Sequence, residues 1–189
     1  PSEQVFMDAG YGHLRREIMY NDFILVGPQE DPAGLRKINT AHTAFTQLAH
    51  SQAPFVSRGD SSGTHRAEQR LWRLAGIQPD KLSPPHYREV GAGMGRTLNI
   101  AASLNAYTLV DRGTWLSFKN KQNLAVLFEG DKQLFNQYSI ISLKPERFPH
   151  LQHDAAQTLV DWLSSEEGQG AIAEFKIGGE ALFFPNYTP

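Results

Sequence analysis

A loop at residues 57–65 (SRGDSSGTH) carries side chains suited to binding an anion. It lies between a short apolar stretch and a segment with helical spacing, so it leads into a helix N-terminus. The first amides of a helix have no intrahelical partner and carry a partial positive charge, and small residues let an anion reach them. Arg58 adds a charged group that can donate two hydrogen bonds at once. The same residue types also form ordinary helix caps, and Arg58 can pair with Asp60, so the spacing alone leaves both interpretations open.

A second loop, at residues 91–97 (GAGMGRT), has the same placement before a helix. Its three glycines permit close approach of a ligand to the backbone. The glycines and the downstream Asp111 also suggest a dinucleotide site, but Arg96 stands where that fingerprint needs its third glycine. A tight turn with a purely structural role is the other alternative. Two such loops in one α/β unit favour an anion site, because a small dehydrated anion needs donors from several directions.

Candidate catalytic and metal-binding residues form weaker patterns. Residues 59–63 are similar to the nucleophile loop of trypsin-like proteases, but the second glycine of that loop is missing and the all-β pattern of such enzymes is absent. His150 and His153 are the closest histidine pair, without a third ligand at metal spacing. His65 follows the first loop directly, where it can donate to a ligand or orient the loop. We therefore expect no catalytic residues, no metal and no cofactor.

The composition is that of an ordinary globular protein, with 189 residues, 40% apolar, 20% charged and a formal net charge of -2. This charge balance argues against nucleic-acid binding, which usually requires a clustered basic face. The sequence has no cysteine, which excludes disulfides and thiolate chemistry and fits an oxidising compartment as well as the cytosol. We expect no membrane span, since no apolar stretch is long enough, and a mature or trimmed chain, since it does not open on a signal peptide.

Apolar runs and helical periodicities alternate along the chain. Strands are predicted at residues 17–26, 53–57, 87–90, 106–110, 123–129 and 139–143. Helices are predicted at residues 35–50, after the first loop to residue 75, from residue 97, and at residues 155–164 and 167–175. Strands that alternate with helices predict a largely parallel sheet, with the ligand at the carboxyl ends of the strands.

Five phrases in one order extend the two loops into a family pattern. They lie at residues 20–28 (YNDF and VGP), 54–65 (PFVSRGD and SGTH), 93–98 (GMGRTL), 106–114 (AYTL and DRGT) and 129–131 (EGD). With them the sequence resembles the Tup-type tungstate-binding proteins of ABC importers over nearly its whole length. The resemblance implies the type II periplasmic binding-protein fold, in which two α/β lobes close over an oxyanion.

The resemblance also implies which residues bind the ligand. In the first loop they are Ser57, Arg58, Ser62, Gly63 and Thr64, and in the second they are Met94, Gly95 and Thr97. This sequence departs from the family at Ser61, where the family usually has a second acidic residue. The family also begins with a further N-terminal segment, including a Thr/Ser-rich loop on the other lobe, that has no counterpart here.

These features give the expected domain organisation. Residues 29–133 are predicted to form one complete α/β lobe that carries both anion loops. Residues 1–28 and 134–189 are predicted to form part of a second lobe. The resemblance implies that this second lobe is incomplete, because the chain lacks the family's N-terminal segment.

The resemblance implies a solute-binding component of an ABC importer that binds tungstate or a related oxyanion. It also implies a periplasmic location and a transporter permease as the protein partner. A ligand-sensing domain of a transcription regulator is an alternative, because the same fold serves there. A molybdate- or phosphate-binding protein of the same fold is another. Asp60 separates the ligands, because a phosphate site needs an acceptor for the remaining proton, whereas tungstate needs donors only.

Overall fold

A computed structural model describes residues 2–82 and 86–188, which divide into two compact units. Residues 22–135 form one unit, and residues 1–21 with 136–189 form the other. The predicted boundaries after residues 28 and 133 both lie inside the first of these units. That one lobe is complete and the other partial stays a prediction.

The helices and strands alternate along most of the chain. The helices are α1 (Ser2–Asp8), α2 (Ala41–Ser51), α3 (Gly63–Leu74), α4 (Met94–Leu104), α5 (Arg112–Ser117), α6 (His153–Leu163) and α7 (Glu166–Glu174). The strands are β1 (Gly12–Pro28), β2 (Phe55–Ser57), β3 (Tyr87–Glu89), β4 (Thr108–Asp111), β5 (Leu124–Phe128), β6 (Phe135–Leu143), β7 (Lys176–Ile177), β8 (Glu180–Ala181) and β9 (Phe184–Pro185). Short 3-10 turns lie at Leu35–Lys37, Pro79–Lys81 and Lys132–Leu134.

The unit of residues 22–135 contains strands in the order β4-β1-β5 and a separate two-stranded sheet of β2 and β3. β2 and β3 pair in parallel, and a single parallel bridge joins Phe55 to Tyr107, which precedes β4. β1 pairs antiparallel with both β4 and β5. The prediction of a largely parallel sheet was therefore wrong for β1, because an apolar run reports burial on both faces and not the direction of the strand.

Two hydrophobic clusters cover the two faces of this sheet. Along β1, Phe23 and Leu25 belong to the cluster that includes residues of α2 and α3, whereas Ile24 and Val26 belong to the cluster that includes α4. Alternate residues of a strand point to opposite faces, so β1 is buried on both sides. In the first cluster the Trp72 ring meets two phenylalanine rings edge-on.

The other unit is built around the N-terminal part of β1. There β1 pairs with β6, and its residues Met19 and Tyr20 pair antiparallel with β9. The helices α6 and α7 pack in the same unit, and α6 leaves the large apolar side chains of Leu159 and Trp162 exposed. Across residues 2–82 and 86–188, none of the helices has the length and apolar character needed to cross a bilayer.

Two predicted helix boundaries were wrong for identifiable reasons. The helix predicted from residue 35 begins at Ala41, because the Thr40 side chain accepts a hydrogen bond from the Thr43 amide and so caps α2 there. The helix predicted from residue 97 begins at Met94, with Gly93 as its N-cap. The helices α1 and α5 and the short strands β7, β8 and β9 were not predicted.

Gly27 has no room for a side chain, and this generates a stability prediction. A Cβ atom there would lie 2.5 Å from the Tyr107 ring. That ring is fully buried, and its hydroxyl accepts from the Ala33 amide and donates to Asp31. We expect Gly27→Ala to lower the free energy of unfolding by about 1–3 kcal/mol in urea denaturation, because the ring cannot move aside.

Gly170→Ala is the control for this prediction. Gly170 lies inside α7, and no atom lies within 4 Å of the position of its Cβ. Alanine favours a helix interior over glycine, so this variant should be unchanged or stabilised by up to about 1 kcal/mol. Equal stability of Gly27→Ala and the unaltered protein would contradict the packing described here.

Candidate anion-binding site

The two glycine-containing loops leave the same edge of the sheet. β2 and β3 are parallel neighbours with Ser57 opposite Glu89, so their carboxyl ends coincide. The Val90 amide donates to the Ser57 carbonyl over 3.1 Å, and the Ala92 amide donates to the Arg58 carbonyl over 3.2 Å. The structure therefore brings the two predicted loops together at the carboxyl ends of neighbouring parallel strands, where α/β proteins commonly bind ligands.

The N-terminus of α3 presents unpaired donors. The Ser62 side chain caps this helix by accepting a hydrogen bond from the His65 amide over 3.1 Å. The amides of Gly63 and Thr64 come next, and the first amides of a helix have no intrahelical acceptor. The space at Gly63 is open, since no atom lies within 4 Å of its Cβ position. The Thr64 hydroxyl has no hydrogen-bond partner among residues 2–82 and 86–188.

The N-terminus of α4 has a similar arrangement. The Gly93 carbonyl accepts from the amides of Arg96 and Thr97, both over 3.1 Å. The amides of Met94 and Gly95 precede these and have no intrahelical acceptor. No atom lies within 4 Å of the Cβ position of Gly95. The Met94 side chain is buried in the hydrophobic cluster that includes Ile24 and Val26. Backbone amides are therefore the groups that this helix can offer to an anion.

Arg58 and Asp60 form an ion pair inside the first loop. The Asp60 Oδ2 atom accepts from Nε of Arg58 over 3.1 Å and from its Nη2 over 2.5 Å. The other oxygen, Oδ1, accepts from the Ser62 amide over 3.1 Å. Burial raises the pKa of Asp60, but the hydrogen bonds from Ser62 and Arg58 together outweigh it and bring the pKa to about 2. Asp60 is thus an ionised acceptor with both oxygens in use.

Two of the predicted ligand hydroxyls have acceptors within the protein. Ser57 is fully buried, and its hydroxyl donates to Oε2 of Glu68 over 2.7 Å. Thr97 is also fully buried, and its hydroxyl donates to the Gly93 carbonyl over 3.2 Å. In this structure both side chains stabilise their loops. The groups that remain open at the site are the amides, the Thr64 hydroxyl and the guanidinium of Arg58.

Glu68, which is only 2% exposed, was not predicted as a site residue. It accepts hydrogen bonds from Ser57, from Trp72 Nε1 over 3.2 Å and from the Tyr87 hydroxyl over 2.8 Å. Its sequence position could have predicted its burial, because helical spacing puts it on the same face of α3 as Thr64, Leu71 and Trp72, which are also buried. A carboxylate on the apolar face of a helix needs partners, and these three donors supply them.

His65 connects Glu68 to the first loop. Its Nδ1 atom lies 3.1 Å from Ser57 Oγ and 3.8 Å from Glu68 Oε2. Interaction with Glu68 raises the pKa of His65 above 6.5, and partial burial opposes this without cancelling it. Ser57, His65 and Glu68 share the residue types of a hydrolytic triad but not its order, because the Ser57 hydroxyl donates its hydrogen bond to the Glu68 carboxylate and not to the histidine. The buried Ser57 hydroxyl is therefore not arranged as a nucleophile.

Comparison with known proteins shows the family to which this chain belongs. Residues 1–167 match a family model described as a PBP superfamily domain. The tungstate-binding protein TupA from Desulfovibrio alaskensis G20, a solved structure, is 43% identical with a TM-score of 0.86 over 99% of this chain and 76% of its own. The chain belongs to the TupA family of the PBP superfamily. The predicted family and the type II periplasmic binding-protein fold are thereby confirmed.

Curated relatives agree with this family. The tungstate-binding protein TupA of Peptoclostridium acidaminophilum is 40% identical over 190 residues, which are 100% of this chain and 65% of that protein. A candidate ABC transporter anion-binding protein of Haloferax volcanii is 41% identical over 98% of this chain and 55% of its own length. The chain thus spans between half and two thirds of the length of these two family members.

The ion pair at Asp60 generates a prediction about pH. We expect Asp60 to remain ionised down to about pH 3, because its pKa is about 2 rather than the ordinary 3.8. A lowered pKa in the folded state means that the stabilisation is present above about pH 4 and is lost as the pH falls toward 2. Carboxyl carbon shifts in NMR spectra recorded between about pH 3 and pH 6 test this.

Arg58→Gln should raise the Asp60 midpoint toward 3.8. Arg66→Gln is the matched control, because Arg66 bonds the Ser61 carbonyl in the same loop and not the Asp60 carboxylate. An Asp60 midpoint that is the same in Arg58→Gln and in the unaltered protein would contradict the ion pair.

Proposed function

We propose that the protein is the solute-binding component of an ABC importer and that it binds tungstate at the two helix N-termini. The proposed ligand groups are the amides of Gly63, Thr64, Met94 and Gly95, the Thr64 hydroxyl and the Arg58 guanidinium. Ser57, Ser62 and Thr97 support these groups from within the loops. The proposal includes a periplasmic location, a transporter permease as partner and no catalysed reaction.

The orientation of Asp60 is the single observation that carries the choice of ligand. Both of its oxygens accept hydrogen bonds from inside the loop. The start of α3 therefore offers donors, while Asp60, the acidic residue that precedes it most closely in the chain, is already satisfied. An anion without a proton can use every one of these groups. A protonated anion such as hydrogen phosphate would need a free acceptor as well.

Arg58 supports an anion of charge two. Its guanidinium is partly buried, with 19% of the side chain exposed, and Asp60 uses only one side of it. A partly desolvated arginine can give two parallel hydrogen bonds to one oxyanion. Burial of an anion costs several kcal/mol, which only well-aimed donors offset, so the two helix dipoles and Arg58 act together.

The relatives support the same ligand class. Two are tungstate-binding proteins and a third is a candidate transporter anion-binding protein, all at about 40% identity. The first loop and the N-terminus of α4 both lie within the matched residues 1–167. We infer that this chain serves the same kind of transport system.

Calorimetry with tungstate, molybdate, sulfate and phosphate at neutral pH tests the proposal. We expect heat of binding and a rise in melting temperature with tungstate and with molybdate, growing with ligand concentration. We expect neither with phosphate, because Asp60 offers no free acceptor. Binding of phosphate alone would assign the protein to phosphate uptake, and binding of none of the four would refute the proposed ligand class.

Arg58→Lys tests the proposed role of the guanidinium. We expect the dissociation constant for tungstate to rise about tenfold or more, because a point charge replaces a planar double donor at a desolvated site. Arg66→Lys is the matched control, since Arg66 bonds the Ser61 carbonyl from the exposed side. Unchanged affinity in a folded Arg58→Lys protein would remove Arg58 from the site.

A further inference from the structure

The carboxylate of Glu68 faces two different environments. One oxygen, Oε1, accepts from Nε1 of the fully buried Trp72 over 3.2 Å and from the hydroxyl of the half-buried Tyr87 over 2.8 Å. The other, Oε2, accepts from the Ser57 hydroxyl and lies 3.8 Å from His65 Nδ1. One oxygen is therefore anchored, and the other reaches the base of the first anion loop.

We propose that Glu68 is a positioning residue of the anion site, which orients the Ser57 hydroxyl and the His65 ring beneath the N-terminus of α3. The proposal rests on the proposed function, since it concerns the same site. It adds a residue that lies outside both loops and touches no ligand group directly.

The first consequence concerns the direction of the Ser57 hydroxyl. Because this hydroxyl donates to Glu68, its oxygen is left as an acceptor for the Gly59 amide at 3.2 Å and for His65 Nδ1 at 3.1 Å. Gly59 has a positive φ of 60°, and a Cβ there would lie 2.6 Å from Cβ of Glu89. The turn that carries Arg58 toward the site is thus closed by a bond to Ser57, whose geometry Glu68 sets.

The second consequence concerns the charge of His65. Its Nδ1 atom must carry a proton to donate to Ser57, and its Nε2 atom lies 4.0 Å from Glu89 Oε1. The acidic groups near the ring are Glu68 on its own helix, Glu89 on β3 and Asp60 in the loop after β2, and all three favour the charged ring. A charged imidazole in the first turn of α3 adds to the positive end of that helix, where the free amides lie.

Energetics agree with this assignment. A buried carboxylate costs free energy that an apolar side chain of similar volume would not, even when donors surround it. The core side of Glu68 satisfies the charge through Trp72 and Tyr87, but neither contact requires a charge. The groups that gain from a negative charge at this position are the Ser57 hydroxyl and the His65 ring.

The test compares Glu68→Gln with Tyr87→Phe. Glu68→Gln removes the charge next to Ser57 and His65. Tyr87→Phe removes a donor to Oε1 of Glu68 and a 3.3 Å hydrogen bond to Glu89, and it leaves the contacts of Glu68 Oε2 in place. Tungstate affinity is measured by calorimetry between about pH 6.5 and pH 8.5, and the His65 ring is titrated by NMR in the same proteins without ligand.

In the unaltered protein, affinity should fall as the pH rises through the raised pKa of His65, because the anion favours the charged ring. Glu68→Gln should weaken binding about tenfold and move the His65 midpoint to lower pH, since the loss concerns a charge-assisted contact. Tyr87→Phe should change the affinity for tungstate by no more than about twofold. The titration midpoint of His65 should stay above 6.5 in this variant. An unchanged His65 midpoint in Glu68→Gln, or an equal loss of affinity in both variants, overturns the proposal.

A second variant decides the matter if Glu68→Gln does not fold. His65→Gln keeps a side-chain donor near Ser57 but cannot be charged, so tungstate affinity should lose its dependence on pH in this range. Full retention of that dependence overturns the proposal. If the unaltered protein binds no tungstate, the proposed function fails instead, and the ligand-free titration of His65 still tests the effect of Glu68.

Discussion

The parallel pairing of β2 with β3 is the constraint on which the site depends. Their register, with Ser57 opposite Glu89, ends both strands at one edge of the sheet and starts two helices there. Neither helix start is sufficient alone, since unpaired amides occur at every helix N-terminus. Two starts whose loops are hydrogen-bonded to each other, from Ala92 to Arg58, give donors from two directions onto one region. A short β-pairing therefore determines which helix-start amides lie at this edge.

The negative charges of Asp60 and Glu68 are directed inward. Asp60 turns back to Arg58 and the Ser62 amide, and Glu68 is held by donors from Ser57, Trp72 and Tyr87. Each carboxylate is thereby satisfied without using the amides at the helix starts. The acids stabilise the loop, orient its side chains and raise the pKa of His65. An acidic sequence motif is in this way compatible with an anion-binding surface.

Local signals in the sequence account for much of this arrangement. The loops at residues 57–65 and 91–97, the strands before them and the helices after them could be predicted, because glycine, helix caps and apolar runs act over a few residues. The antiparallel direction of β1 and the role of Glu68 could not. Both depend on pairing between distant segments, such as the contact of Glu68 with Tyr87, which spacing does not encode. For Asp60 the sequence left two orientations open, toward the ligand or toward the loop, and in the structure it bonds Arg58 and the Ser62 amide within the loop.

That choice has a consequence for selectivity among tetrahedral anions. For Asp60 to accept a proton from a ligand, an oxygen would have to leave either the guanidinium of Arg58 or the Ser62 amide. Leaving the first would break a charge-assisted bond and leaving the second would uncap the turn before α3, and each loss costs about 1–3 kcal/mol. The carboxylate with a pKa of about 2 is also a poor proton acceptor at neutral pH. We propose that discrimination against protonated anions arises from this internal ion pair, which withholds an acceptor while the proposed ligand groups supply donors.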